Sequence, residues 1–255
     1  MNRPAPGSIR VLEGRNGRTV TAPFLHFLCF LFAAAILARG QTSSLEKGEF
    51  RIEIVLEQQA GSEWIAVDPG LVLPAESFIR FRVRLNFKGY LYAVNLGSNG
   101  QYALLFPRAE AGLDNRVEAE RDYLIPALEG GYRITGPPGF ETVYWLISPT
   151  ELRAGASPPS LSLPPPSPPP ARTPAGKLIP RCNDELFRAR GECVDVSAGT
   201  RTLEQKELLP GGLTAAQEAA SSRELQFSRR KETSVVSSSP TADAPVLFEF
   251  RIAHR

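Results

Sequence analysis

The chain has 255 residues, room for one domain of ordinary size with accessories or for two small ones, and a formal charge of +2 with only 2 histidines. The positive excess sits in the first forty residues, which hold five Arg and one Glu; from Gln41 onward 24 basic residues face 26 acidic ones, a net of −2. No surplus of positive charge remains there for a nucleic-acid backbone.

In chain order, Arg3, Arg10, Arg15 and Arg18 precede an apolar run from Phe24 to Leu37, which Ala38-Arg39-Gly40 follows. A basic stretch, an apolar core and a small-x-small end are the pattern of an export signal. Residues 1–40 are therefore expected to be a signal peptide, with a mature chain from Gln41 that is periplasmic or extracellular, including a place on the envelope. Retention as an anchor is the weaker reading, because the run is short of the ~20 apolar residues a spanning helix needs and His26 interrupts it. No spanning segment is expected after cleavage. Cys29 lies inside the run with no cleavage site just before it, so it is not read as a lipid-attachment cysteine.

From Phe50, apolar residues Phe50, Ile52, Ile54 and Leu56 alternate with Arg51, Glu53 and Glu57, the pattern of a half-buried antiparallel strand. Trp64 to Val67 is a candidate partner, with Asp68-Pro69-Gly70 as a turn. The clearest strand follows: Ile79, Phe81, Val83, Leu85 and Phe87 alternate with Arg80, Arg82, Arg84 and Asn86. A one-residue slip would bury the arginines, so register is strongly specified. Arg80, Arg82 and Arg84 are candidates for an anion-binding ladder; the competing expectation is cross-strand pairing with Glu53, Glu57 or Glu249 on a solvated face.

Lys88 to Pro107 reads as a hairpin, with runs at Tyr90 to Leu96 and Gln101 to Phe106 joined by Gly97-Ser98-Asn99-Gly100. Asn-Gly tolerates the positive φ that hairpin turns require. That turn lies between strands rather than before a helix, so it is no phosphate loop. Tyr90 and Tyr92 share a face with Val94 and Leu96, which makes them core by default and binding candidates only where a hydroxyl emerges at the sheet edge. Short strands are expected at Asp122 to Pro126 and Tyr132 to Thr135. Glu141 to Ser148 is apolar on both faces, as a strand central to a sandwich should be. Short strands with frequent turn signals indicate an all-β fold, an antiparallel β-sandwich, Ig-like in general architecture, over residues 41–152.

Residues 153–176 form a proline-rich linker; nine prolines fall between Ser157 and Pro174, favouring an exposed polyproline spacer over a groove ligand. Residues 177–244 are expected to be an irregular, partly helical extension. It holds Cys182 and Cys193, most simply a disulfide in an oxidising compartment, with a helical turn at Asp184 to Arg190. A weak helix is expected from Thr214 to Phe227, on a Thr-x-x-Gln capping pattern, and a loop from Ser234 to Ala244. Residues 245–255 recover strand alternation. A lone terminal strand is not stable, so it should return to the sheet.

Catalytic chemistry has little to work with. A Ser-His-Asp or Cys-His arrangement needs a positioned base; His26 leaves with the signal, and His254 adjoins the C-terminus, where chains are usually mobile. Two cysteines with no nearby histidine make a poor metal site, and no cofactor is expected. Asp114, Glu118, Glu120 and Asp122 are the residues a carboxylate-based envelope hydrolase would use, although charge runs are usually solvated faces.

Lys88-Gly89-Tyr90-Leu91-Tyr92, Gly97-Ser98-Asn99-Gly100, Leu105-Phe106-Pro107, Asn115-Arg116-Val117, Ile125-Pro126, Pro137-Pro138-Gly139 and Glu141 through Ser148 together resemble a bacterial family, domain of unknown function 4384, over about residues 45–150. Members occur in exported or envelope-associated proteins or beside peptidase-like and kinase-like domains. The resemblance implies an accessory binding role and brings no catalytic residues. This chain departs from it in having no partner enzyme domain and in carrying the proline linker and cysteine loop. The expectation is an exported, non-catalytic module that binds a protein or cell-envelope ligand; the alternatives are the carboxylate hydrolase and a structural envelope protein joined through its proline run.

Overall fold

The structure, a computed structural model, describes residues 10–13, 49–127, 130–152, 179–203, 213, 220, 224–239 and 244–255. Its strands are β1 (Arg10–Glu13), β2 (Phe50–Ala60), β3 (Glu63–Ala66), β4 (Phe78–Leu85), β5 (Gly89–Leu96), β6 (Tyr102–Phe106), β7 (Arg116–Val117), β8 (Asp122–Ile125), β9 (Gly130–Arg133), β10 (Gly139–Ser148), β11 (Gly199–Arg201), β12 (Leu225–Arg230), β13 (Thr233–Ser238) and β14 (Val246–His254), and a short helix is α1 (Asp184–Arg190). The proline-rich linker and most of the expected signal peptide lie outside the described residues.

These strands form an antiparallel sandwich. The first sheet runs β1-β9-β4-β2-β13-β12, with β3 on β2 and β8 on β4; the second runs β11-β14-β10-β5-β6, with β7 on β5. Alternation explains the layering. In β4 every second residue, from Ile79 to Leu85, is fully buried while Arg80, Arg82 and Arg84 point out. Ile52, Ile54 and Leu56 of β2 join that inner face, opposed by Val143, Trp145, Phe248 and Phe250 of the second sheet. Phe81 stands edge-on to Trp145 at 5.1 Å and to Phe250 at 5.7 Å, the T-shaped geometry that aromatic quadrupoles favour.

The second sheet is covered on its outer side too. Tyr92, Val94, Tyr144, Leu146 and Leu247 cluster with Leu152 and Leu213, and Leu203 and Ala220 pack against them. That second layer is why β5, β10 and β14 are apolar on both faces. The terminal strand returns to the sheet as expected, and it does so centrally: β14 pairs with β10 from Gly139–His254 to Ile147–Val246 and with β11 on its other side.

The extension differs from its expected irregularity. Leu225–Arg230, at the end of the expected helix, and Thr233–Ser238, inside the expected loop, form a hairpin whose second strand pairs with β2 from Thr233–Val55 to Ser238–Phe50. Phe227, Leu225 and Val236 face the core. A waiting edge on β2 outweighs the weak local propensity of a serine-rich segment. Residues 214–219 and 221–223 of the expected helix lie outside the described residues. Arg10–Glu13, within the expected signal, pair with β9.

Candidate functional site

The arginine row of β4 is spent on carboxylates. Arg80 Nε lies 2.6 Å and Arg82 Nη2 2.9 Å from Glu57, while Arg84 Nη2 reaches Glu120 at 3.0 Å. Arg80 also stacks over the Trp64 ring at 4.5 Å. Glu57 is the directly opposed residue of Arg80 in the β2–β4 ladder, so the expected cross-strand pairing holds for it. Glu249 is not a partner of this row, because β14 belongs to the other sheet; there Glu249 meets Arg251 at 3.0 Å and Arg201 at 3.9 Å. Its burial pushes the Glu249 carboxyl up despite those two cations.

Tyr90 and Tyr92 lie on the outer face of the second sheet, under the second apolar layer. The Tyr92 hydroxyl accepts from Leu152 N at 2.7 Å, so Tyr92 fastens the end of the family-like segment rather than meeting solvent. Tyr90 is half-buried beside it. The four acids of the carboxylate reading stand exposed. Asp114 accepts from Arg116 N, Glu118 pairs with Arg116 and Glu120 with Arg84.

One polar cluster went unnoticed in the sequence. Glu141, fully buried at the start of β10, accepts from Asn95 Nδ2 at 2.6 Å and from Ser98 N at 3.0 Å, and its Oε1 lies 3.4 Å from His254 Nε2. His254 is not a mobile chain end: it is buried in β14, and Leu73 N donates to Ala253 O while Arg255 N donates to Leu73 O. Ser98 Oγ, Asn95 Oδ1 and His254 Nε2 are buried without hydrogen bonds. Serine, histidine and glutamate are the residue types of a hydrolytic triad, but Ser98 Oγ is sealed from solvent, and this group closes the end of the core. The signal that could have found it is parity. Glu141 shares the core-facing register of Val143, Trp145 and Ile147, where a carboxylate needs buried partners.

The disulfide segment is exposed to solvent along α1. Cys182 and Cys193 are bonded, as expected. Asn183 caps α1 by accepting from Glu185 N and Leu186 N, and Gly191, at φ 71°, ends it in the left-handed conformation. Asp195 holds the loop: its carboxylate accepts from Arg181 N at 2.7 Å and from Ser197 N at 2.8 Å. Burial alone would push that carboxyl up, but the hydrogen bonds from Ser197 and Arg181 hold it below its ordinary value. The loop is laid on the sandwich by Val72 N to Cys193 O and Asp195 N to Gly70 O, each 2.8 Å. A Cβ on Gly70 would come within 2.8 Å of Val194, so glycine is what permits this close approach.

Between this loop and β10 runs a groove of about 630 Å³ lined by Phe140, Ile179, Arg181, Asn183, Val194 and Val196, among others. Ile179 and Val196 are 71% and 75% exposed, and Phe187 of α1 is 50% exposed. None of the helix residues is buried. Among the described residues no group of three or more His, Cys, Asp or Glu could hold a metal, and no helix is long and apolar enough to cross a membrane.

No curated protein and no solved structure matches the chain. A family model does, for the family described as Domain of unknown function (DUF4384), over residues 72–151. That span contains β4 to β10, including the β5–β6 hairpin and the arginine row, while the disulfide segment and, except for Phe140, the residues lining its groove fall outside it. The motifs along Lys88 to Ser148 fall inside this span, so the resemblance seen in the sequence and the family match coincide over residues 72–151.

Proposed function

We propose that this protein is an exported, non-catalytic module that binds an apolar segment of a protein partner in the groove of its disulfide segment. Residues 1–40 are removed after Gly40, and the mature chain works in the periplasm or outside the cell. The observation that carries the reading is the exposure of Ile179 and Val196 in a groove that Phe140 and Val194 also line, with Phe187 of α1 exposed on the same disulfide segment. A seven-residue helix is not stable alone. Here two caps, a disulfide and the Asp195 clamp hold it with Phe187 half exposed to water, and exposed apolar side chains grouped with Ile179 and Val196 mark interaction surfaces. The disulfide itself supports an oxidising compartment. Against the carboxylate hydrolase stands the dispersal of Asp114, Glu118 and Glu120 among arginine partners on an exposed face.

The test compares capture from the envelope fraction, under non-reducing conditions, by the wild-type chain and by an Ile179→Asp/Val196→Asp variant. A protein retained by wild type and reduced at least about tenfold with the variant, at unchanged near-ultraviolet circular dichroism, is expected from loss of two apolar anchors. Equal retention by both, or retention of glycan alone, refutes the groove.

A further inference from the structure

The first sheet ends in a strand that comes from outside the sandwich. β1 lies antiparallel along β9 with Arg10 opposite Arg133, Val11 opposite Tyr132, Leu12 opposite Gly131 and Glu13 opposite Gly130. Among the described residues β1 pairs with nothing else. β9, by contrast, is held in place from the inside. Phe78 and Ile79 of β4 pair with its Arg133 and Tyr132, Ile134 N donates to Ser77 O at 2.9 Å, and the buried Tyr132 hydroxyl donates to Leu105 O at 3.0 Å. Arg133 forms an ion pair with Glu76. Gly131 lies so close under Trp64 that an added Cβ would sit 2.5 Å from the indole and 2.7 Å from Ile79 O.

β9 is thus shaped by the core, and lifting β1 away leaves a preformed edge with its outward N–H and C=O groups open. Such an edge is a template for another strand unless it is guarded by lysine, proline or a bulge. Gly130-Gly131-Tyr132-Arg133 has no proline and no lysine.

We infer that the outer edge of β9 is a strand-acceptor site for an extended segment of a partner protein, filled by Arg10–Glu13 only while the leader is attached. The inference rests on the removal of residues 1–40 proposed above. The occupant is a short extended stretch resembling Arg-Val-Leu-Glu, the sequence seated on the edge in this chain. Its backbone supplies the affinity, as in other cases of β-strand addition. This site is separate from the disulfide groove, so a partner could use one without the other.

The test uses the exported protein, with its N-terminus read by mass spectrometry, and a fluorescent peptide of residues 6–17 as probe. Two further peptides carry a backbone N-methyl group on Val11 or on Leu12. In an antiparallel ladder successive residues turn their N–H groups alternately toward and away from the neighbour. One methylated peptide should therefore bind about tenfold more weakly or worse, and the other as well as the unmodified probe. Equal affinity for all three, or no binding to the folded exported chain, overturns the site. An N-terminus upstream of Arg10 overturns it too, and shows that the leader reading rather than the edge has failed. Probe binding that falls as protein concentration rises means a second copy sits on the edge, which overturns assignment to a partner. A check independent of processing uses the full chain with Val11→Pro/Leu12→Pro, which removes the ladder donors of β1; probe affinity should rise at least about tenfold, and no gain refutes the proposal.

Discussion

Glu141 concentrates more of the sandwich's polar bonding than its position in an apolar strand suggests. It gathers Asn95, the turn at Ser98 and the end of β14 at one buried point. Glu141→Ala leaves the Asn95 amide and Ser98 N–H without their acceptor, and urea unfolding should show a loss of about 3 kcal/mol. Asp195 offers a pH-dependent counterpart. Its carboxyl is lower in the folded chain than its ordinary value of 3.8. Deprotonated Asp195 therefore contributes stability above the unfolded value, and that contribution disappears as pH falls through the folded value. Asp195→Ala should cost about 2 kcal/mol at pH 7, and the gap to wild type in denaturant melts should narrow below about pH 3.8. Of these residues the sequence revealed the identity but not the role. A carboxylate at a core-facing position announces that it must be paired, while its partners lie up to 113 positions away, as Glu141 and His254 show.

The strands legible from alternation were those with a long, two-faced pattern: β2, β4, the β5–β6 hairpin, β10 and β14. The β12–β13 hairpin was not legible, because its apolar residues are few and its stability comes from the open side of β2. The same dependence makes β14 decisive, since it is flanked by β10 and β11 and carries Phe248, Phe250 and Ile252 into the core. Phe250→Ala should cost about 3–5 kcal/mol in thermal or urea melts. A chain ending at Pro245 should lose cooperative unfolding altogether, read as a broad transition and rapid proteolysis. Reduction of Cys182–Cys193 acts on a different element. It releases a loop whose closure is worth roughly 3 kcal/mol in the chain-entropy model, and it should raise hydrogen exchange across Asp184–Arg190 while leaving the amides of β10 protected.

The family segment by itself is not the sandwich. Residues 72–151 supply β4 to β10, whereas β2, β13 and β14 are provided by sequence on either side, and Phe81 rests on Phe250 as well as on Trp145. A fragment of residues 72–151 should therefore lack the near-ultraviolet dichroism of a packed core, and residues 49–255 should retain it. Alternation of apolar and polar residues was enough to establish an all-β chain, the register of its best strands and the return of the C-terminal strand, because a pleated strand with one buried face imposes that period on local sequence. Which strands are neighbours, the second apolar layer over β5, β10 and β14, the buried Glu141–His254 contact and the groove beside the disulfide were decided only on folding. Each of them is made by residues far apart along the chain, and local periodicity carries no record of its distant partner.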